Sequence, residues 1–248
     1  MPPLATGACT AAPVSQTLAS ITAPDRQQQR KQSSQFLELR HPFRIGLQGS
    51  VERNRSMRHS MPIVTPRLVL RPPTLADLDS IQTAKEDAWP DLQLWMAWAF
   101  DNERSRQAME NSIRRTMDYQ DQAGIALAGF HKINGDFVVR TALDFTDEPN
   151  VFETGYWVAP KYAGQGMATE AANAAIRYAF GHLGAKAISI GYFDGNEASR
   201  RIVDKLGFQK LGVARQAATR CLDGTKLDRH EYILTGPDAL PELHVSWG

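Results

Sequence analysis

The chain has 248 residues, 42% of them hydrophobic and 22% charged, enough for one large domain with a sizeable core or two small ones. Its formal net charge of +1 hides an asymmetry: residues 1–60 hold eight Lys/Arg against three Asp/Glu, and the remaining 188 hold 20 against 24. A mildly acidic folded part argues against a nucleic-acid groove as its main function. Two cysteines, Cys9 and Cys221, are too few and too unevenly placed for a disulfide framework or a zinc site, and no apolar run approaches the roughly 20 residues of a membrane span.

Residues 1–60 mix Ala, Thr, Ser, Gln and Pro with a polar run from Asp25 to Ser34, a composition expected to be a disordered leader rather than a domain. Its arginine-rich, acid-poor content also suits a transit peptide, and a start at Met57 or Met61 would remove it from the product; the sequence leaves these readings open. A cytoplasmic location fits the cysteine usage.

Order is expected from Val64. Thr65 to Arg71 is a first strand, and Pro72-Pro73-Thr74 stops it and caps a helix from about Leu75 to Ala88. Trp89 to Phe100 follows, with four large aromatics that suit either core packing or the wall of an acceptor pocket. A second helix runs from about Glu103 to Gln120, and two strands, Ile125–His131 and Phe137–Phe145, are joined by Asn134-Gly135, a hairpin signal.

Phe152 to Ala159 is aromatic and branched, as a strand should be, and Pro160 stops it. Lys161-Tyr162-Ala163-Gly164-Gln165-Gly166 then leads into a helix with apolar residues at Ala172, Ala175, Ile176, Ala179, Phe180 and Leu183. Strand, glycine loop and helix start build an anion site: two glycines let backbone N–H groups converge, and the first-turn amides at Met167, Ala168 and Thr169 add donors and a positive dipole end. The spacing excludes a P-loop, which needs Gly-Lys-Ser/Thr at the helix start, and a dinucleotide fingerprint, which needs a third small residue where Thr169 stands. Beyond the helix come a strand from Ala187 to Phe193, a short helix opened by Asn196 as N-cap and closed at Gly207, and a hairpin of Leu211–Cys221 and Lys226–Leu234 around Asp223-Gly224. Residues 237–248 read as a tail after a domain of 61–236.

The loop resembles the acyl-coenzyme A loop of the GNAT acetyltransferase superfamily, Gln/Arg-x-x-Gly-x-Gly/Ala, with Lys161 departing from the pattern in the first slot. Asn196-x-x-Ser199 followed by Lys205-Leu206-Gly207-Phe208 resembles a second signature of that superfamily, in the right order. The resemblance covers about 64–235 and is closest to the RimJ/RimL type, on Thr65-Pro66-Arg67-Leu68, Leu94-Trp95-Met96-Ala97-Trp98, Glu153-Thr154-Gly155-Tyr156-Trp157 and Gly212-Val213-Ala214-Arg215. It implies an α/β GNAT fold: a mixed, mostly antiparallel sheet flanked by helices and splayed between the Phe152 and Ala187 strands to hold the pantetheine arm. It also implies acetyl-CoA as donor, no metal, no nucleic-acid or membrane partner, and a monomer or homodimer. The binding set so implied is Val158, Lys161, Gly164, Gln165, Gly166, Met167, Ala168, Thr169 and Asn196. The implied acceptor is a protein N-terminal amine; small amines such as polyamines or aminoglycosides are the alternative, and a non-catalytic acyl-CoA-binding module is a third reading.

Acetyl transfer needs a base, an oxyanion donor and an acid. Glu153 is the base candidate, an acidic residue in an otherwise apolar strand on the same face as Trp157. Family analogy places the oxyanion donor at a backbone N–H near Val158. Many relatives use a tyrosine of the short helix as acid, but Val203 occupies that slot, and the RimJ/RimL resemblance points to Ser199 instead. A serine hydroxyl is a poor acid, so Ser199 is expected to hydrogen-bond the departing sulfur or relay a proton from water.

Overall fold

The computed structural model describes residues 60–248, leaving aside the side chains of 118–123. Residues 1–59 of the expected leader lie outside the described residues. The fold opens on two short antiparallel strands, β1 (Ile63–Val64) and β2 (Leu68–Arg71), with Ile63 opposite Leu70. The single strand expected from Thr65 is therefore shorter by three residues. Pro66 cannot donate to a ladder, and Thr65 Oγ1 closes the turn by accepting from Leu68 N at 2.9 Å.

Three helices follow: α1 (Leu78–Asp87) after a 3-10 turn at Leu75–Asp77, α2 (Trp89–Trp95) with proline in its first turn, and α3 (Arg106–Ala123). Ser105 caps α3 by accepting from Ala108 N at 3.1 Å, so the helix starts three residues later than the sequence suggested. Ile81 and Ile113, both at 0% exposure, anchor α1 and α3 in the core. The hairpin β3 (Gly124–His131) and β4 (Phe137–Phe145) turns at Gly135 with φ +73°, a conformation that asparagine-glycine pairs supply.

β5 (Val151–Val158) pairs antiparallel with β4, and α4 (Met167–Gly181) carries the chain across to β6 (Ala187–Phe193), which lies parallel to β5. A helix with Ala171, Ala172, Ala174, Ala175 and Ala179 at 0% exposure lies close against strands on its small side chains. α5 (Glu197–Lys205) and the hairpin β7 (Gln209–Thr219) and β8 (Lys226–Leu234) follow, with β8 antiparallel to β6. A final strand, β9 (Ser246–Trp247), completes the order β7-β8-β6-β5-β4-β3-β2-β1-β9, in which β5/β6 is the one parallel pair.

That parallel pair is short. Val151, Phe152 and Glu153 face Ala187, Ile188 and Ser189, but β5 continues to Val158 and β6 to Phe193 without pairing further. The sheet opens there into a wedge. Ala159 N donates to Val138 O at 2.8 Å, which fixes the alternation of the β4/β5 ladder. Trp157, Gly155 and Glu153 therefore bond β4, and the N–H groups of Tyr156 and Val158 face the edge that β6 has left.

The expected tail is part of the fold, a correction with a clear cause. β9 pairs antiparallel with β1, Trp247 stacks edge-on to Tyr178 at 5.6 Å, and Leu240 is 6% exposed. Asn173 Nδ2 and Arg177 Nη2 hold the intervening backbone at Pro241 O, at 2.9 and 3.0 Å. The signal was legible: Leu243, Val245 and Trp247 alternate with period two, and all three pack on the core. A chain ending at Gly236 should lose about 3 kcal/mol and melt roughly 10 °C lower; thermal denaturation followed by circular dichroism would refute this by showing an unchanged midpoint.

Among the described residues, no helix is long and apolar enough to cross a membrane, and no group of three or more His, Cys, Asp or Glu is placed to hold a metal ion.

Candidate active site

At the wide end of the wedge, Gly164 has φ +73° and Gly166, the N-cap of α4, has φ +76°. A Cβ on Gly164 would meet nothing within 4 Å, and one on Gly166 would meet Arg67 Nη2 at 3.6 Å. Glycine is thus required here by backbone conformation rather than by crowding, and the space before the loop stays free for a ligand. The first amides of α4, at Met167, Ala168 and Thr169, begin immediately behind it.

Arg67, assigned no role from the sequence alone, holds this loop in place. Arg67 Nη1 donates to Gln165 O at 3.0 Å, Arg67 Nε donates to Glu170 Oε2 at 2.5 Å, and Glu170 Oε1 also accepts from Thr65 Oγ1 at 2.6 Å. The Thr65-Pro66-Arg67 turn thus ties β2 to the first turn of α4 through a buried carboxylate. Lys161 reaches toward the β3/β4 hairpin. Its ammonium sits on Asp136 of the β3/β4 hairpin at 2.5 Å, a pairing that raises the lysine pKa and lowers that of the aspartate. Its carbonyl is held by Gln165 Nε2 at 2.9 Å.

Inside the wedge, Tyr156 on β5 and Ser199 on α5 meet across the gap, hydroxyl to hydroxyl at 3.1 Å. Burial pushes the Tyr156 phenol up to about 12, only partly offset by the bond from Ser199. Asn196 has the N-cap role, accepting from Ser199 N at 3.1 Å through Oδ1, and so orients Ser199. Val203, at 0% exposure, is core, and the phenol nearest Ser199 is that of Tyr156 on the facing strand. Strand alternation could have flagged Tyr156, which lies on the opposite face of β5 from Glu153.

Glu153 is ion-paired: Arg229 Nη2 donates to its Oε1 at 2.8 Å, and Arg229 Nη1 donates to Glu231 Oε1 at 3.1 Å. The guanidinium crosses from β8 over β6, and a Cβ at Gly191 would overlap it, so Gly191 is the notch that lets it reach β5. No sequence signal pointed to this pair, because its members stand 76 residues apart.

On the Glu153 face a groove of about 380 Å³ runs between the helices and the sheet, lined among others by Lys85, Trp98, Arg140, Asp144, Gly155 and Trp157. The register accounts for it: Asp144, Ala142 and Arg140 on β4 stand opposite Glu153, Gly155 and Trp157 on β5. The Trp89–Phe100 stretch divides between core and groove. Trp89 is core at 3% exposure, whereas Trp98, at 42%, forms groove wall.

A sheet split at its one parallel pair, with a left-handed glycine loop and a helix start at the mouth and an open groove on one face, is an α/β architecture with an anion-binding loop at the end of a cleft. The chain belongs to the acetyltransferase (GNAT) domain family, which it matches over residues 67–209. It is similar to Mycobacterium smegmatis RimJ in complex with CoA-disulfide, at a TM-score of 0.63 and 19% identity, over 71% of this chain and 86% of that one. It is likewise similar to the ribosomal-protein-S5-alanine acetyltransferase of Vibrio fischeri, at a TM-score of 0.62 and 18% identity, over 70% and 96% of the two chains. In sequence it is 38% identical over 85 residues to the uncharacterized N-acetyltransferase YoaA of Bacillus subtilis (strain 168). That match spans 34% of this chain and 47% of YoaA, about half the length of the curated relative.

Proposed function

We propose that this protein transfers the acetyl group of acetyl-CoA to a protein N-terminal α-amine by direct attack in a ternary complex. The observation that carries this reading is the wedge, with its glycine loop at the mouth and two backbone N–H groups and a Tyr156–Ser199 hydroxyl pair inside. Gly164, Gln165, Gly166 and the amides of Met167, Ala168 and Thr169 would take the pyrophosphate, and Val158 N–H would take the pantetheine arm. The likeness to RimJ and to the S5-alanine enzyme supports the acceptor class.

Geometry refines two roles. Val158 is five residues from Glu153, about 17 Å along an extended strand, too far for a base working through one water. Tyr156 N–H, three residues away or about 10 Å, lies within the combined span of a glutamate side chain and one bridging water. Tyr156 N–H is therefore the oxyanion donor that can act together with Glu153. In the step itself, Glu153 accepts the amine proton through water, the N–C bond forms as C–S breaks, and the sulfur is met by the Tyr156 and Ser199 hydroxyls. A phenol near 12 is a weaker acid than an ordinary thiol near 8.5. Tyr156 therefore keeps its proton and contributes a hydrogen bond, and the thiolate takes its proton from water through Ser199.

The test is an acceptor screen following free thiol release with amino-terminal peptides, polyamines and aminoglycosides. Release with peptides is the expected result. Tight acetyl-CoA binding with no release for any acceptor would replace this reading with that of an acyl-CoA-binding module.

A further inference from the structure

Two cations in the groove have been stripped of water by the fold. Arg140 Nη2 donates to Thr116 Oγ1 at 3.1 Å, while its Nη1 is buried without a hydrogen-bond partner among the described residues. Burial moves the Arg140 pKa down to about 10. Lys85, 2% exposed, spends its ammonium on the backbone oxygen of Glu103 at 2.5 Å, and desolvation lowers its pKa as well. A polycationic acceptor would meet these charges head-on, whereas an oxygen-bearing one would complete them.

The groove floor is also polarised along β4. Asp144, the register partner of Glu153, marks an acidic end, and Arg140, the partner of Trp157, marks a basic end. Only Ala142 and Gly155 stand between them, and a Cβ on Gly155 would meet nothing within 4 Å, so there is room for a small group between the two ends. An α-amino-acyl unit has the matching polarity, ammonium at one end and carbonyl oxygen at the other. Trp98 at the wall and Arg115 at the helix side extend the groove beyond one residue, which favours a peptide over a free amino acid.

We propose that Arg140 binds the carbonyl oxygen of the acceptor's first residue, so that the groove selects a peptide whose reacting amine stands beside a C=O and rejects polyamines. The inference rests on the acetyl-transfer reading for the identity of the reacting group, but its test does not require turnover. Calorimetric titration of the CoA-loaded full chain with an alanine-initiated hexapeptide is expected to show binding at least tenfold tighter than for spermidine. Arg140→Met should weaken peptide binding about thirtyfold, the range of a hydrogen bond to a charged group. Arg140→Lys, which keeps a point charge but not the fork, should fall between, and CoA affinity should not move. If Arg140→Met proves unstable on melting, Arg140→Lys and Thr116→Val, which frees the guanidinium from its tether, carry the same comparison.

Peptide affinity independent of residue 140 in the folded variants, spermidine binding as tightly as the peptide, or no peptide binding at all would overturn the proposal. Arg140-dependent peptide binding without thiol release would support it while removing the acetyl-transfer reading. Free alanine binding as tightly as the hexapeptide would keep the carbonyl contact and shift its source to free amino acids.

Discussion

Gly166→Val should weaken coenzyme A binding by roughly a hundredfold while leaving the domain folded. Two effects add. The left-handed backbone at φ +76° costs an L-residue about 1–2 kcal/mol, and a branched side chain is worse there than most. The methyl groups would also enter the space that the loop keeps open, where a phosphate has to approach backbone N–H groups. Since a Cβ at this position meets only Arg67 Nη2 at 3.6 Å, the fold bears the backbone strain of about 1–2 kcal/mol but loses no packing. Calorimetry with CoA, beside a melting curve, separates these: an unchanged affinity in a folded variant would sink the assignment of the loop. Lys161→Ala should act far more weakly and mostly at low salt, because that ammonium is exposed and already paired with Asp136.

The second large effect concerns Glu153. An α-amine with a pKa near 8 is about one-tenth neutral at pH 7, whereas a lysine near 10.4 is neutral in fewer than about one molecule in a thousand. The base therefore has the smaller task with an α-amine, and hydroxide replaces part of what it does as pH rises. Glu153→Gln is expected to lower turnover roughly 10²-fold near pH 7, the lower end of general-base contributions, with the deficit narrowing toward pH 9. CoA affinity should barely change. Because Arg229 grips one oxygen of Glu153, the amide also leaves that guanidinium with a weaker partner, so a melting curve belongs beside the rate measurement. Full activity of the variant at pH 6.5 with the best acceptor would take Glu153 out of the mechanism.

What the sequence could and could not reveal follows from how far apart the interacting groups lie along the chain. The glycine loop, the asparagine-glycine hairpin and the Asn196 cap are local, set by backbone preferences within a few residues, and each could be placed from the sequence. The splay between β5 and β6 entered through family resemblance, because no periodicity says where two strands stop pairing. Arg140 was half legible: a charge in the apolar run Phe137 to Phe145, on the same alternating face as Asp144, is a signal that strand reading can use. Arg229 was not, since its contact with Glu153 depends on a missing side chain at Gly191 on a third strand. Arg67 sits in a turn whose purpose appears only once α4 is packed beside it.

The pairing of β9 with β1 has a consequence for how the molecule is made. Ile63 and Trp247 are 184 positions apart, 247 less 63, so this contact closes one of the longest loops the chain can form. Such contacts return their stabilisation only after the entropy of closure has been met, which makes them late events in folding. During synthesis the described segment that covers the outer edge of β1 and the Tyr178 side of α4 emerges only after the wedge and groove have been translated. An edge of this kind can pair with another chain, and the closing strand Ser246–Trp247 covers it in the finished fold.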